Sequence, residues 1–84
     1  PMADNELVVE SLRKEIADIL HTLNDRERNV IECFYGINQP EMTLEEIGNR
    51  YGLTRERVRQ IREKALRKLR KNTKNKQLKS YLGR

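Results

Sequence analysis

The sequence predicts an all-α fold, a small bundle of four to five helices containing a helix-turn-helix. Three observations carry that expectation. Apolar residues recur at spacings of three and four, no segment alternates with period two or carries an Asn-Gly or Asp-Gly hairpin signal, and helix caps recur along the chain. The 84 residues are read as one domain, 1–84, with a modest core of Leu, Ile and Val, since there are three Tyr, one Phe and no Trp.

Asp4 or Asn5 is expected to cap a first helix running to about Thr22. Val8, Leu12, Ile16, Ile19, Leu20 and Leu23 give it one apolar stripe, and "PMA" before it reads as an exposed end. In "NDRERNVIECFYG", Asn24 followed by Glu27 is the spacing of a capping box. Val30, Ile31, Phe34 and Tyr35 form the buried side of this second helix, and Gly36 ends it. "INQPEM" reads as a surface loop. Thr43 and Glu46 repeat the capping box and open a short third helix that stops at Gly52. Thr54 caps a long fourth helix, "NTKN" weakens it around 72–75, and "KQLKSYLGR" is expected to form a last short helix packed through Leu78, Tyr81 and Leu82, with Gly83 and Arg84 fraying.

Composition narrows the function. No apolar run approaches the about 18 residues that a membrane span needs, and the acidic, polar amino end does not resemble a signal peptide. Cys33 has no internal disulfide partner, which fits a reducing cytoplasm, and is read as a small buried residue. One Cys and one His (His21) are too few for a structural zinc site, so no metal is expected. Neither a nucleophile–base pair nor a phosphate-cradling glycine loop is present, so no enzymatic activity, cofactor or small-molecule substrate is expected. The net charge of +5 conceals a division. Residues 1–54 carry five Lys/Arg against eleven Asp/Glu, a balance of −6, whereas residues 55–84 carry thirteen against two, a balance of +11. Because the basic half begins inside a periodic helix, it reads as the footprint of a polyanion.

The helix-turn-helix spans about 43–71, followed by a basic segment at 72–84. Ile47, Tyr51, Leu53, Val58 and Ile61 are apolar where two crossing helices must pack. Gly48 is small at the close approach, and Gly52 occupies the turn. At about 100° per residue, with Arg55 at zero, Val58, Ile61, Ala65 and Leu69 lie between roughly 240° and 320°. Arg55, Glu56, Arg59, Gln60 and Glu63 lie between roughly 0° and 140°, on the stripe that such a motif places in a major groove. Arg can bond guanine bidentately, Gln can bond adenine, and Glu can accept from cytosine. Glu56 either reads a base or orients Arg59 or Gln60. Arg62, near the apolar edge, is expected to pair with an acid of another helix or to snorkel.

"TLEEIGNRYGLTRERVRQIREKALRKLR", with "LNDRERNVIECFYG" before it, closely resembles the carboxy-terminal promoter-recognition domain, region 4, of bacterial primary sigma factors. The resemblance runs from about Leu20 to Leu82. It implies binding to the −35 element of double-stranded promoter DNA within RNA polymerase holoenzyme, in the bacterial cytoplasm at the nucleoid. By position, Arg55, Glu56 and Gln60 would touch base edges, with Arg59 on the backbone or a flanking base. Arg26, Thr43, Leu44, Glu45, Thr54 and Arg57 would hold phosphates or position the helix. Lys64, Arg67 and Lys68 would lie on the side that transcription activators approach, and the first two helices would cradle the flap-tip helix of the polymerase β subunit. The chain departs from the family's usual His-Pro-Ser-Arg type continuation with "KNTKNK". It is expected to be one domain of a longer chain, since nothing in it suits melting DNA or reading the −10 element.

Two other classes compete with DNA binding. One is a protein-interaction module bound by an anti-sigma factor or activator, which should tolerate high salt where DNA binding does not. The other is a free-standing dimeric repressor, which needs a dimerisation helix that the single stripe of the first helix does not supply.

Overall fold

The computed structural model describes residues 13–82, without the side chain of Tyr81. The cap at Asp4 or Asn5, the packing of Val8, Leu12 and Tyr81, and the ends at 1–3 and 83–84 lie outside the described residues.

The described residues form five helices: α1 (13–20), α2 (Asp25–Tyr35), α3 (Leu44–Tyr51), α4 (Arg55–Asn72) and α5 (Lys76–Leu82). None is long and apolar enough to cross a membrane. Helix α1 stops two residues before the expected Thr22. There the amides of His21, Thr22 and Leu23 each reach back three residues, to Asp18, Ile19 and Leu20, which tightens the last turn out of α-geometry. Local chemistry sets the other starts. Asn24 and Glu27 exchange side-chain and backbone bonds of 2.8 and 3.1 Å, and Thr43 and Glu46 do the same at 3.1 and 2.9 Å. The Thr54 hydroxyl accepts from the amide of Arg57 at 3.0 Å.

Helix α4 is the spine, and its buried edge serves two cores. Val58 and Ile61 join Val30, Cys33, Leu44 and Ile47 in one cluster, with Phe34, Met42, Tyr51 and Leu53 packed on it. Ala65, Leu66 and Leu69 join Leu20, Leu23, Ile31, Leu78 and Leu82 in the other. Helix α2 crosses between them, with Val30 facing one cluster and Ile31 the other. As expected, α2 buries Val30 and Ile31, while Phe34 and Tyr35 are half-buried and meet edge-to-face at 5.1 Å.

The turn between α3 and α4 depends on two glycines for different reasons. Gly52 takes φ 68°, ψ 35°, a left-handed conformation that a Cβ disfavours, and the amides of Gly52 and Leu53 both return to the Gly48 carbonyl. Gly48 is helical and buried, but a Cβ there would stand 2.5 Å from the Leu53 carbonyl oxygen. Around Gly52 nothing lies within 4 Å of that position. Gly48→Ala must therefore displace backbone and is expected to lower stability by about 1–3 kcal/mol. Gly52→Ala carries only the conformational cost, about 1–2 kcal/mol. Urea denaturation of the two variants measures both.

Candidate nucleic-acid interface

The outward side of the first half of α4 carries Arg55, Glu56, Arg57, Arg59 and Gln60, all exposed. Their opposite neighbours, Val58 and Ile61, are 0% and 5% exposed, so the helix cannot rotate without burying charge. Arg55 has no hydrogen-bond or ion-pair partner among the described residues. Glu56 is engaged: the Arg59 Nε donates to both its carboxylate oxygens at 2.6 and 3.2 Å, and Arg59 Nη2 lies 2.6 Å from Oε1. That hydrogen bond holds the Glu56 carboxyl below its usual range and raises the Arg59 guanidinium. Of the two orientations open to Glu56 in the sequence, the structure contains the one onto Arg59. Gln60, exposed, accepts a long bond from Arg57 at 3.4 Å.

The phosphate-binding candidates stand at helix starts. Each cap satisfies the third amide of its helix and leaves the first two without an intrahelical acceptor. Those are the amides of Leu44 and Glu45 in α3 and of Arg55 and Glu56 in α4, and the helix dipole favours an anion at each of these amino ends. The Leu44 side chain is buried, so only its backbone is available, whereas Glu45 is exposed. Thr43 and Thr54, the two caps, are exposed. Arg26 is exposed on α2 and lines a cleft with Asn29, Tyr51 and Leu53, which places it beside the turn that leads into α4.

Farther along α4, Lys64 and Arg67 are exposed, but Lys68 is committed. Its Nζ donates to Glu27 Oε1 at 2.9 Å, joining α4 to α2. The Glu27 side chain is only 4% exposed, and its Oε1 also accepts the Asn24 amide. Burial pushes the Glu27 carboxyl up. The Lys68 bond, the Asn24 amide and the charges of Lys68 and Lys64 outweigh it, leaving the pKa below 4.5. Sequence reasoning missed this pair, because the cap already accounted for Glu27 in full. For Arg62, the expected pairing with an acid of another helix is not found among the described residues. Its guanidinium carbon lies 4.7 Å over the Phe34 ring of α2, and its acid is the neighbouring Glu63 at 3.0 Å, not one from another helix. Cys33 is buried as expected, with its thiol 3.4 Å from Gln39 Oε1 and Arg50 Nη1 3.7 Å from the sulfur.

Residues 19–71 match the family described as "Sigma-70, region 4". The chain is also similar to the RNA polymerase sigma factor SigA of Listeria monocytogenes and to that of Listeria innocua. Each is 50% identical over 74 residues, which is 87% of this chain and 20% of the relative's length.

A group whose folded pKa is depressed stabilises the fold above its unfolded pKa, and that stabilisation disappears as pH falls through the folded value. Glu27→Gln is therefore expected to cost about 1–3 kcal/mol at pH 7. The difference from the unsubstituted chain should shrink once the pH drops below about 4.5, the ordinary Glu value. Denaturation midpoints at pH 7 and pH 3 measure it.

Proposed function

The chain belongs to the sigma-70 region 4 family, and on that premise we propose that it binds the −35 element of promoter DNA as the carboxy-terminal domain of a primary sigma factor, directing RNA polymerase to start sites in the bacterial nucleoid. The observation that carries this reading is the bare stripe on α4. Arg55, Glu56, Arg59 and Gln60 point away from the core on a helix whose other edge is locked in it. Arg55 and Gln60 have the donors to read guanine and adenine edges in a major groove. Glu56 either accepts from a cytosine or aims Arg59, and the bond to Arg59 supports the second role. Arg26, Thr43, Thr54, Arg57 and the free amides of Leu44 and Glu45 hold phosphates and set the register.

Docking to RNA polymerase is a second activity of the same domain. Ile16 and Ala17 of α1 face Tyr35, Ile37 and Gln39 across a groove edged by Arg13 and Lys14. We assign the β flap tip to this groove, a partly apolar cleft on the side formed by the first two helices. Anti-sigma factors would compete for it. Activators would meet Lys64 and Arg67, with Lys68 available only if a partner's carboxylate replaced Glu27.

Arg55→Ala or Gln60→Ala is expected to cost ~1–3 kcal/mol on a −35 consensus duplex and to relax preference at one base pair. Arg57→Ala should weaken consensus and scrambled duplexes alike. Competition band-shifts distinguish these outcomes, and equal loss on both duplexes for Arg55→Ala would remove it from the base-reading set. Ala17 is exposed, so Ala17→Asp should fold normally and retain DNA binding, while losing capture by the polymerase β flap at high salt.

A further inference from the structure

The end of α5 is tied to α4 in the sector of the reading stripe. With Arg55 at zero, Arg59 falls at about 40°, Leu66 at about 20° and Arg70 at about 60°. The first two residues of this sector are bare, and the last two are covered. Leu66 shares a buried cluster with Leu78 and Leu82, and Arg70 Nη1 donates to the Leu82 carbonyl at 2.9 Å. Helix α5 therefore folds back on the second half of α4, and its end is tied to Arg70 in the sector that continues Arg55 and Arg59. The segment is firmly built. Asn75 donates to both carboxylate oxygens of Glu15 at 3.1 and 3.2 Å, its Oδ1 caps the Leu78 amide at 3.1 Å, and Leu78 is 2% exposed.

Cations fill the outer side of this shelf. With Leu78 and Leu82 inward, Lys76 falls on the opposite face of α5 and Lys79 on its flank, and Lys71 and Lys74 lead into it. All four are exposed, and none is ion-paired among the described residues. No Asp or Glu occurs after Glu63, so nothing in the segment itself neutralises them.

We infer that Lys71, Lys74, Lys76 and Lys79 contact phosphates of the same duplex outside the bases that α4 reads. This rests on the proposed seating of the first half of α4 in the major groove. That groove is about 12 Å wide, and an 18-residue helix is about 27 Å long. The far half of α4 must leave the groove over its wall, which is a sugar–phosphate strand. The end of α5, tied to Arg70 in that sector, and the segment that leads into α5 bring their lysines there. The segment thus acts as a sequence-blind grip that lengthens the footprint beyond the element.

The test compares the 84-residue chain with a Lys71→Ala/Lys74→Ala/Lys76→Ala/Lys79→Ala variant. Both are titrated, over a range of salt, on a duplex trimmed to the −35 element and on one extended at each end. On the extended duplex the variant should bind roughly tenfold more weakly at low salt, with a salt slope shallower by about 0.9 for each phosphate it no longer neutralises. On the trimmed duplex the two should bind alike, and base preference should not change. Equal affinities and slopes on the extended duplex would overturn the inference and leave the lysines to an acidic protein partner. Equal loss on both duplexes would also overturn it, reducing the segment to long-range attraction. Failure of the premise reads out separately, as an unsubstituted chain that does not prefer the element to a scrambled sequence.

Discussion

One helix has to be held hard along one edge and left bare along the other. Val58, Ile61, Ala65 and Leu69 are each at most 5% exposed, and they form the only edge of α4 shared by both clusters. Helices α2 and α3 pack on the first half of that edge, and α1, α2 and α5 on the second. The rotation of α4 about its own axis is thereby set, and with it the direction of every side chain on the outward stripe. A rotation of one residue, about 100°, would bring Arg59 or Arg62 into the core, at a desolvation cost the domain cannot bear. Specificity in such a domain is a consequence of packing.

The approach of α3 to the turn refines that constraint. Gly48 meets the Leu53 carbonyl with no room for a Cβ, so the angle between α3 and α4 is set by backbone contact. The two capped amino ends then have a defined separation, and the amides at the start of α3 stand in fixed register with the stripe on α4. Across the back, Glu27 and Lys68 fasten α2 to α4, and Arg62 stacks on Phe34 of α2. Neither contact touches the outward stripe, yet both resist tilting of the helix that carries it. The buried carboxylate of Glu27 is tolerable because Lys68 and the Asn24 amide compensate one oxygen, while Oε2 is left without a hydrogen-bond partner.

What could be read in advance was local. Capping boxes at Asn24 and Thr43, the cap at Thr54, the stops at Gly36 and Gly52 and the phase of the α4 stripe depend on residues within one turn, and all appear as expected. The four candidate reading residues were legible for the same reason, since periodicity alone places them opposite Val58 and Ile61. What escaped was set by distant partners. Lys68 and Glu27 are 41 residues apart, and each had a sufficient local account. The partner of Arg62 is an aromatic ring on α2, and no charge pattern points to it. The end of α1 two residues early follows from three short backbone bonds that propensity does not reveal. Likewise, the direction in which α5 folds back depends on Asn75 reaching Glu15 in another helix.

In the proposed complex, the outward stripe of α4 meets bases while the helix starts meet phosphates. Nitrogen-15 NMR titration of the chain tests it most directly, with a −35 duplex and a scrambled duplex of equal length at equal salt. The Gln60 side-chain amide and the Arg55 Nε signal should shift only with the −35 duplex, and the Leu44 and Glu45 amides with both. If Gln60 and Arg55 respond identically to the two duplexes, or stay silent in both while DNA is bound, the stripe is not the reading surface.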